Sequence, residues 1–122
     1  MVTSDELAKT IHLSGFIHLP SMAETAKAFL RDIFRLHGCP REIITDRGTK
    51  FTSKLWNDII KQLGCHLNYS TTNHHQTVGQ VEHNNAYVES YLRCFVAIFD
   101  DESWINYLYF AEFCFNNYTC LY

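Results

Sequence analysis

Two carboxylates, Asp46 and Glu82, stand in settings that phosphoryl-transfer chemistry can use. Asp46 closes the apolar run Glu42-Ile43-Ile44-Thr45 and is followed at once by Arg47-Gly48, which places it at the C-terminal tip of a short buried strand. Glu82 lies in Gly79-Gln80-Val81-Glu82, where a polar loop passes into a helical pattern, so its side chain projects from a first helical turn. Carboxylate oxygens are hard donors suited to Mg2+ or Mn2+. Ions held between such groups polarise a phosphate, activate a water or a 3′-hydroxyl, and stabilise the leaving oxygen. A strand tip and a helix start are also rigid supports for a site that needs defined geometry. Taken singly, each residue has a plainer explanation: Asp46 is a common turn former, and Glu82 complements the positive end of a helix.

The elements that must position this pair are legible in part. Lys9 to Leu13 and Phe16 to Leu19 alternate like strands around Ser14-Gly15, which predicts one strand or a bent hairpin. Ser21-Met22-Ala23-Glu24 is a capping box, and Ala26, Leu30, Ile33 and Phe34 continue an apolar stripe that Gly38 and Pro40 end. After the Asp46 strand and a turn through Thr52, a helix is expected from Ser53, with Leu55, Trp56, Ile59, Ile60 and Leu63 on one side and Gly64 at its end. The segment 65–70 alternates like an edge strand, and 71–79 reads as a polar loop. From Gln80, the spacing of Val81, Val88, Leu92, Phe95 and Phe99 predicts an amphipathic helix of roughly five turns. Glu82 and Glu89 lie off its apolar stripe. Ser103 is placed to cap a last helix built on Trp104, Leu108, Ala111 and Phe115.

The words around the carboxylates carry a resemblance. Thr45-Asp46-Arg47-Gly48-Thr49-Lys50-Phe51-Thr52-Ser53, thirty-five intervening residues and then Glu82 resemble the D-x35-E half of a retroviral or retrotransposon integrase core. Phe34-Arg35-Leu36-His37-Gly38-Cys39-Pro40 before the aspartate, Leu63-Gly64 after it, His74-x-Gln76-Thr77-x-Gly79-Gln80-x-Glu82, and Tyr91-Leu92-Arg93-Cys94 are similar to the Ty3/gypsy type of element. The match runs from about Val2 to Asn117, and its strength lies in the order and spacing of the words together. It implies an α/β, ribonuclease-H-like domain over residues 1–122, with a mixed sheet, flanking helices and Mg2+ or Mn2+ as cofactor. Asp46 and Glu82 would be catalytic metal ligands. Gln76, Gly79 and Gln80 would belong to the loop that approaches DNA, and Lys50 and Lys54 would meet phosphate. Such cores also use an earlier aspartate on an opening strand, which a gapless alignment puts before Met1, so the expectation is a domain incomplete at its N-terminus. Asp5 matches a non-catalytic aspartate of the family. His75, His83 and Val78 depart from the family's usual Pro, Arg, and Asp or Asn.

Composition sets bounds on this reading. A chain of 122 residues with 47% apolar and 15% aromatic residues can build one folded domain. The apolar runs 91–99 and 104–115 are too short to span a bilayer, and no secretory signal pattern opens the chain, so an intracellular protein is expected, and the resemblance implies a nuclear one if functional. Five cysteines without a C-x-x-C argue against a disulfide framework and a zinc knuckle, and predict reduced thiols. His74, His75 and His83 lack the spacing of a zinc site. Nine of the ten basic residues lie at or before Lys61, whereas six of the thirteen acids follow it, so the half carrying Glu82 has little with which to neutralise phosphate. With a net charge of −3, DNA binding is expected to be weak.

Three functions are therefore weighed: metal-dependent polynucleotidyl transfer in DNA integration, a domesticated non-catalytic module that binds protein or nucleic acid, and a metal-dependent nuclease of the same fold. The expected partners are DNA and further copies of the chain, with no membrane and no small-molecule substrate.

Overall fold

A computed structural model of the chain describes residues 1–70, 75–99 and 103–119, and gives the backbone alone at positions 75–78, 95, 96, 99, 118 and 119. The expectations for 71–74, for Asp100, Asp101 and Glu102 and for Cys120 lie outside the described residues. The chain divides into two units, His18–His75 and a second made of Met1–Ile17 with Gln76–Tyr122.

In the unit 18–75, Ser21 opens the first helix because its hydroxyl accepts from the Glu24 amide at 3.3 Å while Glu24 Oε2 accepts from the Ser21 amide at 2.8 Å. This reciprocal pair satisfies two donors that a helix start leaves orphaned. Helix α1, Met22–Phe29, continues through a wider π-helical turn, Leu30–Phe34, into the short α2, Arg35–His37. Gly38 ends it at φ 75°, a left-handed value that glycine accepts at little cost. Strand β3, Glu42–Thr45, follows. Helix α3, Lys54–Gln62, is capped by Ser53, whose side chain accepts from the Trp56 amide. Strand β4, His66–Tyr69, then pairs parallel to β3 in the register Glu42↔His66 to Thr45↔Tyr69. Parallel neighbours need a crossover, and α3 supplies it.

Phe29, Ile33, Trp56, Ile60 and Cys65 form this unit's buried cluster, with Phe51, Ile43 and Leu67 against it. Trp56 is 2% exposed and meets Phe29 and Phe51 edge-on at centroid separations of 5.6 and 5.5 Å. Cys39 and Cys65 form a disulfide, which corrects the expectation that every cysteine is a reduced thiol. The cause is tertiary: residues 26 apart in sequence are brought together at the N-terminal ends of β3 and β4.

The second unit is built on an antiparallel pair, β1 (Val2–Ser4) and β2 (Ile11–Leu13). Of the one strand or bent hairpin expected around Ser14-Gly15, the structure has the single strand. The partner of Ile11–Leu13 is the preceding segment, residues 16–19 form no strand, and Ile17 and Leu19 are exposed. The turn between the strands is closed by Asp5, whose Oδ1 accepts from the amides of Leu7 and Ala8, both at 2.8 Å. Ile11, Leu13, Val88, Leu108, Ala111 and Phe115 form the core. One edge of β2 is held by side chains: Asn116 Oδ1 accepts from the Ile11 amide at 2.8 Å, and Asn116 Nδ2 donates to the Ile11 carbonyl at 2.9 Å. Glu112 Oε2 accepts from the Leu13 amide at 2.8 Å, and its other oxygen lies 3.1 Å from His12 Nδ1. A side-chain amide thus does for β2 what a neighbouring strand would do.

Helix α4 runs His75–Phe99, about seven turns at 3.6 residues each. The loop expected over 71–79 is therefore helical from His75, and Glu82 sits in its third turn instead of its first. Gly79 has the poorest helix propensity of 75–79, costing about 1 kcal/mol, and Thr77 and Val78 are β-branched, costs that a long packed helix absorbs. Helix α5, Leu108–Thr119, is entered through a 3-10 turn, Trp104–Tyr107. Ser103 does not cap it through its side chain, and its carbonyl instead accepts from the Asn106 amide at 3.0 Å. Among the described residues, the strands form two two-stranded sheets, one antiparallel and one parallel, where one mixed sheet was expected.

Candidate metal and nucleic-acid site

Asp46 immediately follows Thr45, the last residue of β3, and is exposed. Its Oδ1 accepts from the Gly48 amide at 2.9 Å, a turn in which the side chain mimics a backbone carbonyl and fixes the carboxylate's orientation. A Cβ at Gly48 would stand 2.8 Å from Asp46 Oδ1, so a larger residue there would displace that carboxylate. The chain then folds tightly: the Gly48 carbonyl accepts from the amides of Phe51 at 3.0 Å and Thr52 at 3.2 Å, and the Lys50 carbonyl accepts from Ser53 at 3.2 Å. Tyr69, at the end of β4, holds this turn from below. Its hydroxyl lies 3.1 Å from the Phe51 carbonyl and 3.2 Å from Asn57 Oδ1, and shares its proton between them. Lys50, half-buried, and Lys54, exposed in the first turn of α3, sit on the same segment as Asp46. Asp46, Lys50 and Lys54 are thus brought together within one unit.

Gly79, Gln80 and Glu82 share helix α4 of the other unit, with Gln76 in its first turn. Glu82 is exposed. Asn84, two positions on and so on the far side of the helix, is 2% exposed and donates to Ser4 Oγ at 3.3 Å, which fixes which face of α4 turns inward. Val88 buries one turn later on that side. Gln80 Oε1 accepts from Lys9 Nζ at 3.2 Å, so one of the polar residues assigned to DNA already has a basic neighbour from the β1–β2 turn. Sequence reading used Gly48 as the turn signal after Asp46 and missed two supporting residues, Tyr69 and Lys9. Asp-x-Gly is a recognisable turn signal, but nothing in the spacing of Tyr69 or Lys9 announces a tertiary partner.

Among the described residues, no group of three or more His, Cys, Asp or Glu side chains is gathered as a metal cluster. Asp46 and Glu82 nevertheless offer the chemistry that a hard divalent cation takes, namely exposed carboxylate oxygens on ordered elements. Asp5 does not join them in this role, because its carboxylate is engaged in closing its own turn. Also among the described residues, no helix is long and apolar enough to cross a membrane.

No protein-family model matches the chain. It is similar to the retrovirus-related Pol polyprotein from transposon 412 of Drosophila melanogaster, 32% identical over 96 residues, which is 79% of this chain and 8% of that polyprotein. It is likewise 32% identical over 94 residues to the transposon Tf2-3 polyprotein of Schizosaccharomyces pombe, covering 77% of this chain and 7% of that protein. The chain therefore spans less than a tenth of the length of these relatives. In three dimensions it resembles the HTLV-2 integrase catalytic core domain solved in complex with magnesium, with a TM-score of 0.75 and 22% identity over 90% of this chain and 68% of that one. It also resembles a chain of the simian T-cell lymphotropic virus intasome in complex with the PP2A regulatory subunit B56 gamma, with a TM-score of 0.79, 18% identity, and 90% and 39% coverage. The chain is thus similar to stretches of retrotransposon polyproteins, and its fold is the ribonuclease-H-like fold of integrase catalytic cores.

Proposed function

We propose that this chain forms part of a metal-dependent polynucleotidyl transferase of DNA integration, with Asp46 and Glu82 as ligands of Mg2+ or Mn2+. The observation that carries the reading is the Asp46 turn. A carboxylate at the end of a parallel strand, oriented by the Gly48 amide and left open to solvent, is a prepared ligand for a hydrated cation. When bound, paired divalent ions polarise the phosphate and stabilise the leaving oxygen. The chain's own residues hold and orient: Lys50 and Lys54 neutralise backbone phosphate next to Asp46, and Gln76, Gly79 and Gln80 present small or uncharged polar groups ahead of Glu82. Such a protein acts in the nucleus and as an oligomer, and the HTLV-2 core has been solved in dimeric and trimeric forms.

Two carboxylates leave each ion largely hydrated, so Mg2+ should bind at millimolar concentration or weaker. Calorimetry tests this. Binding is expected to disappear in Asp46→Ala and to weaken in Gly48→Ala, whose new Cβ displaces the carboxylate, whereas micromolar affinity in the parent that Asp46→Ala abolishes would contradict the expected weakness. Because groups that act as a unit do not contribute in proportion, the chain alone is not expected to catalyse strand transfer in Mn2+. Turnover that vanishes in Glu82→Gln would overturn that expectation.

One observation favours a second reading, a non-catalytic interaction module of the same ancestry. The unit that carries Glu82 has only Lys9 and Arg93 as basic residues against eight acids. A metal-dependent nuclease is the third reading. Cleavage of DNA without joining would select it.

A further inference from the structure

The Cys39–Cys65 pair is not used by the site described above, and it lies at the other end of the same strands. Cys65 directly precedes β4, and Cys39 stands three residues before β3. The parallel register begins at Glu42↔His66, and the His66 amide donates to the Arg41 carbonyl at 3.1 Å just ahead of it. The disulfide therefore clips the N-terminal ends of a two-stranded ladder only four residue pairs long, whose C-terminal end delivers Asp46 and Tyr69. The segment it closes holds β3, Asp46, Lys50, Lys54 and all of α3. Its two sulfurs differ in access. Cys65 is 8% exposed and packed in the core with Trp56 and Ile60, while Cys39 is exposed beside Pro40. Exchange needs a thiolate that solutes can reach, and exposed disulfides are the labile ones.

We infer that Cys39 and Cys65 form a reversible thiol–disulfide clip, exchanging with a glutathione-type disulfide, that sets the rigidity of the β3–β4 pair and of the Asp46 turn beyond it. Cys39 is the exchanging sulfur. Its thiolate attacks the glutathione disulfide, forming a mixed disulfide and releasing one glutathione thiolate. The Cys65 thiolate then attacks Cys39 Sγ, closing the protein disulfide and releasing the second. Two electrons pass from the cysteine pair to the glutathione disulfide, and the two protons lost by the cysteines are taken up by the two glutathione thiolates. The clip is independent of whether Asp46 binds metal.

The test uses the whole chain equilibrated in buffers of reduced and oxidised glutathione, with peptide mapping under non-reducing conditions and thermal unfolding of each sample. A linked Cys39–Cys65 peptide should appear and disappear reversibly with the buffer ratio. The oxidised form should melt about 10 °C above the reduced one, as closing a loop of this size implies, and amide protection at Ile43 and Ile44 should rise with it. In Cys39→Ser, an exposed change that should leave the fold intact, both differences should vanish. Three results would overturn the inference: no linked peptide at any ratio, a linked peptide that millimolar reduced glutathione does not open, or a reversible link with unchanged melting and protection. Cys94 and Cys114, which are free, report any non-specific oxidation in the same map.

Discussion

In the unit 18–75, helix starts are set by partners three residues apart, Ser21 with Glu24 and Ser53 with Trp56. In the unit of residues 1–17 and 76–122, strand β2 is held by Asn116 and Glu112, whose bonds span 105 and 99 residues. Their charges diverge as well. The first unit carries eight of the ten basic residues against five acids, the second two against eight. Local wiring with positive charge belongs to Asp46, and long-range wiring with negative charge belongs to Glu82. The first unit thus joins short-range motifs to an aromatic core, whereas the second adds to its own core a few long-range polar bonds whose loss has no local substitute.

The largest expected effect comes from Trp56→Ala, which empties the centre of the first unit and should cost about 3–5 kcal/mol in denaturant unfolding, as aromatic truncations in cores do. Hydrogen exchange sharpens the contrast. Protection should collapse at Ile43, Ile44 and Ile60 while amides of Ile11 and Leu13 keep theirs, and an equal loss in both sets would show that the units unfold as one.

Asn116→Ala should come next, at about 2–3 kcal/mol, because it strips both the amide and the carbonyl of Ile11, a residue with 0% exposure, of their partners. Asn116→Asp keeps the acceptor and loses the donor, so it is expected to fall between parent and alanine variant. An alanine variant as stable as the parent would remove the polar clamp from the account of this unit.

Under the proposed function, charge divergence predicts where DNA would bind. The double variant Lys50→Ala, Lys54→Ala should reduce the dependence of log affinity on log salt by about two, one for each lost phosphate contact. Arg93→Ala should leave it unchanged. Equal binding by parent and double variant in a salt titration would detach phosphate recognition from the Asp46 segment.

The smallest effect is expected at the cap. Ser21→Ala should cost about 1 kcal/mol, the usual worth of an N-cap hydroxyl. The Ser21 backbone amide first, then its hydroxyl and then His18 hold the Glu24 carboxyl below its ordinary value. A carboxyl whose pKa falls on folding stabilises the protein above its unfolded pKa, and that contribution is lost as pH falls through the folded value. Acid titration of stability should therefore be shallower in Ser21→Ala, where the hydroxyl's share is gone. Identical acid limbs would show that the backbone amide and His18 suffice.

Sequence alone determined what depends on neighbours along the chain. The Ser21 capping box, the Gly38 helix stop, the Asp46 strand tip and turn and the off-stripe position of Glu82 all follow from residues within a few positions of one another, and the motif words are each local even though their spacing is not. Tertiary structure decided the rest. Helix α4 begins at His75 because packing against the β1–β2 pair, through Asn84 and Val88, outweighs the polar look of 75–79. β2 pairs with residues before it because Asn116 and Glu112 take up groups on its polar edge. Cys39 meets Cys65 because a parallel crossover returns the chain to the start of its own strand. Each of these rests on contacts between residues far apart in sequence, and local patterning carries no record of such distances.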